Sequence, residues 1–434
     1  MIDIKLVREQ PELVKENIRK KFKHEKVKLV DELLQKDEQW RGYKHESDNL
    51  RGERNKISEA INKAKKEKDE KLAKKLIAQA QDIPEKIKAI EEKLERLLAQ
   101  VHVLQSAIPN LMSNKVPLGK DEKENKVIKK IGAIPEFSYP VKSHVEIIDG
   151  LGLGDFESSA KVCGTGFYYL SGELALLNQA LLAYARDIMV KKGFLYIETP
   201  LLLRETIIDK VTDLQDKEQQ IYVVEDEPKM ALIGTSEHSL IGRFVDSEIN
   251  EKLLPIQHTS YSMCFRKEIG SHGIDERGLF RTHQFNKIEM IVICKPEESE
   301  GFFKKLQDIT VEIFKGLTIP IRVLHICSGD LGDLKYEQVD IEAYSPRKKD
   351  YFEVGSCSNL TGAQALKLGI TTRIKGERVI PHTLNNTALA SSRALVAILE
   401  NFQQKDGSVK IPKSLWKYTG FKVMKRNKDT VKIV

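Results

Sequence analysis

Between Ile83 and Leu104 apolar residues recur at alternating spacings of four and three: Ile83, Ile87, Ile90, Leu94, Leu97, Val101 and Leu104. That period is a heptad seam on one helix face. The stretch before it is weaker, with Val30, Leu33, Trp40, Leu50, Ile57 and Ile61 near seam positions and Asp37 and Lys44 interrupting them. Residues 1–108 hold no glycine or proline beyond Pro11, Gly42, Gly52 and Pro84. One long segment ends near Lys66 and another starts near Lys71, which predicts an antiparallel helical hairpin. Legs of about 35–40 residues would extend roughly 55 Å, too thin to enclose a catalytic core. Pro84 lacks an N–H and clashes one turn back, so a kink or break is expected near Asp82-Ile83-Pro84.

Helical periodicity stops at Pro109. Pro117, Gly119, the charged run Lys120–Glu124, Gly132, Pro135 and Pro140 read as a linker over residues 111–140. From 141 the pattern becomes mixed helix and strand. An amphipathic helix is predicted at about 174–191, followed by a short strand ending at Pro200. Strands are also expected at Met230–Gly234, at Val339–Tyr344 and from Asp350 to Asn359.

The chemistry concentrates in residues 265–290, FRKEIGSHGIDERGLFRTHQFNKIEM. Gly270, Gly273 and Gly278 punctuate a connection between two antiparallel strands. In the return strand His283, Phe285, Lys287 and Glu289 share one face, because side chains alternate with period two. Phe285 and Glu289 then lie roughly 13 Å apart, about the length of an aminoacyl-adenylate. An aromatic plate for a base, a carboxylate for an ammonium, and Arg266 as a phosphate clamp would make a cradle. A solvated charged hairpin with Phe285 in the core fits the same spacing.

The residues themselves carry a resemblance. F-R-x-E followed by R-G-L-x-R-x-H-Q-F-x-K-x-E resembles motif 2 of class II aminoacyl-tRNA synthetases, in the version typical of seryl-tRNA synthetases. The likeness extends over essentially the whole chain. MIDIKLVREQPELVKENIRKK resembles the start of that family's tRNA-binding arm, and VPLGKDEKEN its junction to the core. The helix before G-F-x-x-I-x-T-P-x-L resembles motif 1, the family's dimerisation element. PHTLNNTALASSRALVAILENF resembles motif 3, read as a strand, an Asn-Asn turn and an apolar helix. The fold implied is α+β: an antiparallel-sheet catalytic domain at 141–434, preceded by a two-helix coiled-coil arm at 1–110.

Residue by residue, the resemblance implies an ATP site of Arg266, Lys267, Glu268, Thr282, Phe285, Glu353, Val354, Gly355, Ser356 and Arg393. It implies a serine pocket of Thr235, Ser236, Glu237, Arg266, Glu289 and Thr387, with Arg266 and Arg393 as the catalytic cations. Glu353 and Ser356, both hard oxygen donors, would hold Mg2+. By itself Thr235-Ser236-Glu237 is equally a helix N-cap. Arg393 near the start of an apolar helix opposes the helix dipole and needs an anion, which a core carboxylate would also provide.

Charge adds a little. With Lys+Arg 71 against Asp+Glu 64 the net charge is +7, a balance compatible with a polyanionic partner without requiring one. Lys63, Lys65, Lys66, Lys68, Lys71, Lys74 and Lys75 cluster where the hairpin should turn. They read either as a solvated surface or as a handle for tRNA phosphates. Five scattered cysteines without a CxxC pair, no leader-like start and no long apolar run fit a cytoplasmic protein with no membrane segment.

The expected activity is serine–tRNA ligation by a homodimer acting on ATP, L-serine and tRNA(Ser), with tRNA(Sec) left open as a second acceptor. Two other readings stand beside it: a paralogue that activates an amino acid without charging tRNA, and a non-enzymatic RNA-binding protein. The first is motivated by Gly362-Ala363-Gln364-Ala365-Leu366-Lys367, where the family has aromatic-Gln-Ala-Arg-Arg, and by a short stretch to Pro381. His272 and Thr282 are milder departures, and the basic segment from Lys417 to Val434 reads as a solvated extension.

Overall fold

The computed structural model describes residues 1–212, 214–269 and 278–426. Gly270, His272 and Gly273, singled out above, lie outside the described residues, as does the end of the basic segment, 427–434. The chain divides into two units, Met1–Pro109 and Asn110–Val434.

In the first unit α1 (Ile4–Glu9) and α2 (Pro11–Lys20) precede the 39-residue α3 (Lys28–Lys66), which packs against α4 (Glu70–Ala80) and α5 (Ile83–Ala107). The hairpin is thus present, with its second leg in two pieces. The break falls where Pro84 requires it, in the first turn of α5, where the missing N–H costs nothing. Ile83, Ile87, Ile90 and Val101 of the seam are buried, and a denser cluster of Ile2, Val7, Val14, Ile18, Val30 and Leu33 closes the base. Asp37, which interrupts the apolar pattern, is also buried. Its carboxylate accepts from Arg8 Nε at 2.7 Å and Arg41 Nε at 3.0 Å. Burial alone would raise this carboxyl, but Arg8 and then Arg41 hold it below its ordinary value. All seven lysines at the turn are exposed.

The second unit is built on one eight-stranded sheet. Its strands in chain order are β1 (Lys126–Ile131), β2 (Leu195–Tyr196), β3 (Ile256–Phe265), β4 (Gln284–Cys294), β5 (Ile321–His325), β6 (Glu337–Ser345), β7 (Asp350–Thr361) and β8 (His382–Ala390). Across the sheet they run β1-β5-β6-β7-β8-β4-β3-β2, every pair antiparallel except the short β2–β3 edge. Helices α6 (His144–Leu151), α7 (Gly172–Lys191), α8 (Ser236–Gly242), α9 (Ser299–Gly316), α10 (Ala363–Leu368) and α11 (Ser391–Phe402) surround it. Alternation along β4 divides the core: Met290, Val292 and Cys294 join the large cluster with α7, α9 and α11, while Ile291 and Ile293 face a second cluster holding Leu240 and Leu368.

Three expectations change here. The 111–140 segment is no free linker: β1 is a sheet edge, Val116 packs on Leu324 and Leu331, and Asn110 Nδ2 donates to Leu360 O at 3.0 Å. Its Lys-Val-Ile-Lys-Lys-Ile sequence carries the lysines typical of a protected edge, so no apolar alternation marks it. The Asn-Asn turn does not form; β8 runs straight through Asn385 and Asn386. The basic C-terminal segment is packed as far as Met424, which is fully buried, with Tyr418 Oη donating to Asp187 at 2.8 Å. Cys264, Cys294, Cys327 and Cys357 are buried thiols, and none of the five cysteines is in a disulfide.

Candidate active site

The odd-numbered face of β4 that carries Ile291 and Ile293 continues backward through Glu289, Lys287 and Phe285, and there the apolar layer opens into two adjoining cavities. A cleft of about 90 Å³ is walled by Phe285, Phe280, Arg281, Thr282, Glu268, Ser392 and Arg393. A wider cavity of about 350 Å³ is walled by Thr235, Glu237, His238, Glu289, Lys335, Gln338, Ser356 and Asn385. Arg266, Lys287, Glu353 and Thr387 line both. Phe285 and Glu289 thus lie toward opposite ends of one connected space, as the period-two reading requires. His283 departs from it: it precedes β4, and its ring packs on Phe167 at 5.3 Å while Nδ1 meets Arg266 O at 2.9 Å.

Arg266 follows the last residue of β3. Its Nε donates to Gly234 O at 3.2 Å and its guanidinium lies over the Phe285 ring, 5.3 Å from the centroid. Lys287 and Glu289, both buried, form an ion pair at 2.6 Å, and Thr387 Oγ1 donates to the same carboxylate at 3.2 Å. A buried pair of this kind adds little to stability, since apolar side chains of similar volume often pack in its place at no greater cost.

Glu353 and Ser356 sit three residues apart, a spacing that should place them on opposite faces of β7. A bulge corrects this: Glu342 pairs with Glu353 and Ile341 with Gly355, leaving Val354 as the extra residue. Both polar side chains thereby reach the cavity, while Val354 is buried among the core residues of α11. Gly355 is closely packed: a Cβ there would stand 3.1 Å from Thr387 O and 3.2 Å from Thr310 Cγ2. Arg393, third residue of α11, donates to Glu353 O at 2.8 Å and pairs with its carboxylate at 3.1 Å. The anion that Arg393 needs is therefore Glu353. Burial opposes ionisation of Glu353, but Arg393 and then Arg266 outweigh it and keep its carboxyl below the ordinary value.

Thr235 caps α8, its Oγ1 accepting from Glu237 N at 3.3 Å, so the capping reading and the cavity reading both hold. Glu237 Oε1 accepts from Gln364 Nε2 and Asn385 Nδ2, each at 2.8 Å. Burial, followed by the charge of Glu289, pushes the Glu237 carboxyl up to about 7. Burial likewise drives His238 down to about 3, so it is neutral. Gln338 Nε2 bridges Asp340 Oδ1 at 2.8 Å and Ser356 Oγ at 2.9 Å, and Lys335 Nζ donates to Gln338 Oε1 at 2.8 Å. Burial and then Glu353 raise Asp340 to about 7.

Among the described residues no group of three or more His, Cys, Asp or Glu side chains could hold a metal ion. The hard-oxygen donors are Glu353 and Ser356 with Asp340 beside them, a set that fits a cation sharing its coordination with phosphates and water.

Of the residues predicted for the ATP and serine sites, two line neither cavity: Ser236, fully buried in α8, and Lys267, whose backbone N–H donates to Gln220 O at 2.9 Å. Lys287 was legible from the strand alternation and went unassigned. Gln338, Lys335, Gln364 and Asn385 were not assigned either; only their convergence in space marks them.

An antiparallel sheet with one arginine just beyond the end of its third strand and another on a flanking helix, facing paired carboxylates, defines a class II aminoacyl-tRNA synthetase core. The model of that core domain (G, H, P, S and T) matches residues 222–402, and that of the seryl-tRNA synthetase N-terminal domain matches residues 1–112. The chain is 43% identical over 422 residues to a serine–tRNA ligase of Methanocella arvoryzae, covering 96% of this chain and 98% of the relative. A serine–tRNA ligase of Dictyoglomus turgidum is 42% identical over 430 residues, covering 99% and 100%. The crystal structure of seryl-tRNA synthetase from Pyrococcus horikoshii complexed with ATP superposes with a TM-score of 0.91 at 40% identity, covering 99% and 100%. That of the cytoplasmic serine–tRNA ligase from Naegleria fowleri in complex with AMP gives 0.87 at 30% identity, covering 99% of each. The chain belongs to the seryl-tRNA synthetases.

Proposed function

We propose that the chain activates L-serine with ATP and transfers it to tRNA(Ser). The observation that carries this reading is the single β4 face on which Phe285, Lys287 and Glu289 run from the cleft into the wider cavity. In the first step a serine carboxylate oxygen attacks the α-phosphorus of ATP; the bond to the β-phosphate breaks and pyrophosphate leaves. In the second, a hydroxyl of the 3′-terminal ribose attacks the acyl carbon and AMP departs. Rate comes from alignment and charge neutralisation, without a covalent enzyme intermediate.

Phe285 stacks on adenine, Arg266 takes the α-phosphate and Arg393 the γ-phosphate. A phosphate on Arg393 frees Glu353, which with Ser356 would hold Mg2+, whose charge offsets that of the phosphates. Serine's ammonium and hydroxyl fall among Glu237, Glu289 and Thr387. Such a pocket disfavours alanine because its buried polar groups would be left unpaired.

Exposed Leu176 (55%) and Val190 (52%) on α7 and Leu195 (60%) on β2 support a homodimer through this surface. The exposed lysines near the α3–α4 turn support contact with tRNA phosphates. In the altered 362–368 segment Gln364 still holds Glu237 and Leu368 joins the core, which supports an intact serine pocket. Among the described residues no helix is long and apolar enough to cross a membrane; we place the protein in the cytoplasm.

The test is serine-dependent ATP–pyrophosphate exchange, then charging of tRNA(Ser) and tRNA(Sec) transcripts. No exchange with any amino acid would sink the enzyme reading. Exchange without charging would favour the paralogue. Sedimentation as a monomer would reject the dimer.

A further inference from the structure

We propose that His144 is a positioning residue for the wall of the ATP cleft, acting as the acceptor for one backbone N–H; this rests on the ATP-binding reading above. His144 opens α6, inside the Ser143–Glu146 capping box, and is 4% exposed. Its Nε2 accepts from Leu279 N at 3.2 Å. A backbone amide can only donate, so Nε2 carries no proton and the ring proton sits on Nδ1. Nδ1 faces Glu400 Oε1 at 3.4 Å. Glu400 is itself 1% exposed, accepts from the hydroxyl of Ser345, and has Arg347 Nε 3.8 Å away. One imidazole therefore joins a buried carboxylate to the backbone at Leu279, in a single tautomer.

What lies at each end gives the link its meaning. Glu400 is near the C-terminus of α11, the helix that carries Arg393 in its first turn. Leu279 immediately precedes Phe280, Arg281 and Thr282, all of which wall the cleft. Phe280 is wedged between Phe352, at 5.3 Å and edge-on, and the guanidinium of Arg393, 5.5 Å from its ring centroid. The approach is close enough to demand glycine next door: Gly278 has φ +77, and a Cβ on it would stand 2.6 Å from His144 Nε2. His144 thus fixes the height of Phe280 relative to the helix of Arg393, and through both the shape of the phosphate end.

Two substitutions separate this role from simple packing. Glutamine places an amide oxygen near the position of Nε2, whereas asparagine reaches only as far as Nδ1. In serine-dependent exchange His144→Asn should raise the ATP KM about tenfold, the size expected for one unpaired buried donor. Its serine KM and kcat should stay within about twofold, and His144→Gln should recover most of the ATP KM. Equal ATP KM values for the two variants, or equal loss of both KM values, would overturn the proposal. Should neither variant fold, amide hydrogen exchange of the unaltered protein decides: Leu279 N–H must be protected, and rapid exchange there rejects the link. Absence of serine-dependent exchange in the unaltered protein would instead refute the ATP-site reading itself.

Discussion

Replacing Glu237 by glutamine should abolish two opposed pH trends at once. The Glu237 carboxyl is raised from 4.5 to about 7 by burial and then by Glu289. A rise of that size corresponds to about 3 kcal/mol between the protonated and ionised forms. The folded value lies above the unfolded one. The stability that the protonated group contributes is therefore complete below about pH 4.5 and is lost as pH rises through about 7.

Serine binding runs the other way. Whichever of its donors Glu237 receives, ammonium or hydroxyl, the ionised carboxylate is the better acceptor. Wild-type kcat/KM for serine, at saturating ATP, should climb between pH 6 and 8 while the melting temperature of the empty enzyme falls. In Glu237→Gln the amide oxygen still accepts from Gln364 and Asn385, so the fold is kept. The variant should lose this part of the melting trend, and its serine kcat/KM should be low and nearly independent of pH. Asp340 is raised to the same region, so the difference between wild type and variant, measured by calorimetry and by exchange, is the informative quantity. Parallel pH profiles for the two proteins would refute the assignment.

Three other outcomes are expected. Arg393→Ala should reduce ATP–pyrophosphate exchange at least about a hundredfold, as removal of a transition-state donor does, while far-UV circular dichroism is unchanged; near-normal exchange would reject its phosphate role. In the arm, Arg8→Ala should destabilise by about 3 kcal/mol, because it strips the main partner from buried Asp37. Asp37→Ala should cost less, since Arg8 and Arg41 are 36% and 53% exposed and can hydrate; urea unfolding of the helical signal ranks the two, and the opposite order refutes the argument. Changing Lys65, Lys66 and Lys68 to glutamine should flatten the salt dependence of tRNA binding, the log–log slope falling by about one for each phosphate no longer neutralised. Serine activation should be untouched, and an unaltered salt slope would assign these lysines to the solvated surface.

The sequence was most legible where one period governs a whole element. The seam of α5, the amphipathic α7 and the aligned face of β4 all follow from regular spacing. It was least legible where a local irregularity resets the pattern. Glu353 and Ser356 line the same cavity only because Val354 is the extra residue of a bulge, and no spacing rule announces a bulge. Asp37 looked like a flaw in the seam because its partner Arg8 lies 29 residues away on another helix. Lys-rich β1 hid as linker because an edge strand exposed to water needs no apolar face. Gln364 and Asn385 reach Glu237 across sequence separations of 127 and 148 residues. Pairings of that range are made by the fold, and local periodicity carries no sign of them.

On the proposed assignment of ATP and serine to the two cavities, the four side chains common to both make the substrates thermodynamic neighbours. A nucleotide that draws Arg393 off Glu353, or Arg266 off Phe285, alters the field felt in the wider cavity before serine enters. Linkage then requires serine to alter nucleotide affinity by the same factor. Dissociation constants measured one ligand at a time will therefore not multiply to the constant for the ternary complex. The order in which the ligands are titrated can change the path but not that product, so the mismatch itself measures how strongly the shared walls join the two halves of the site.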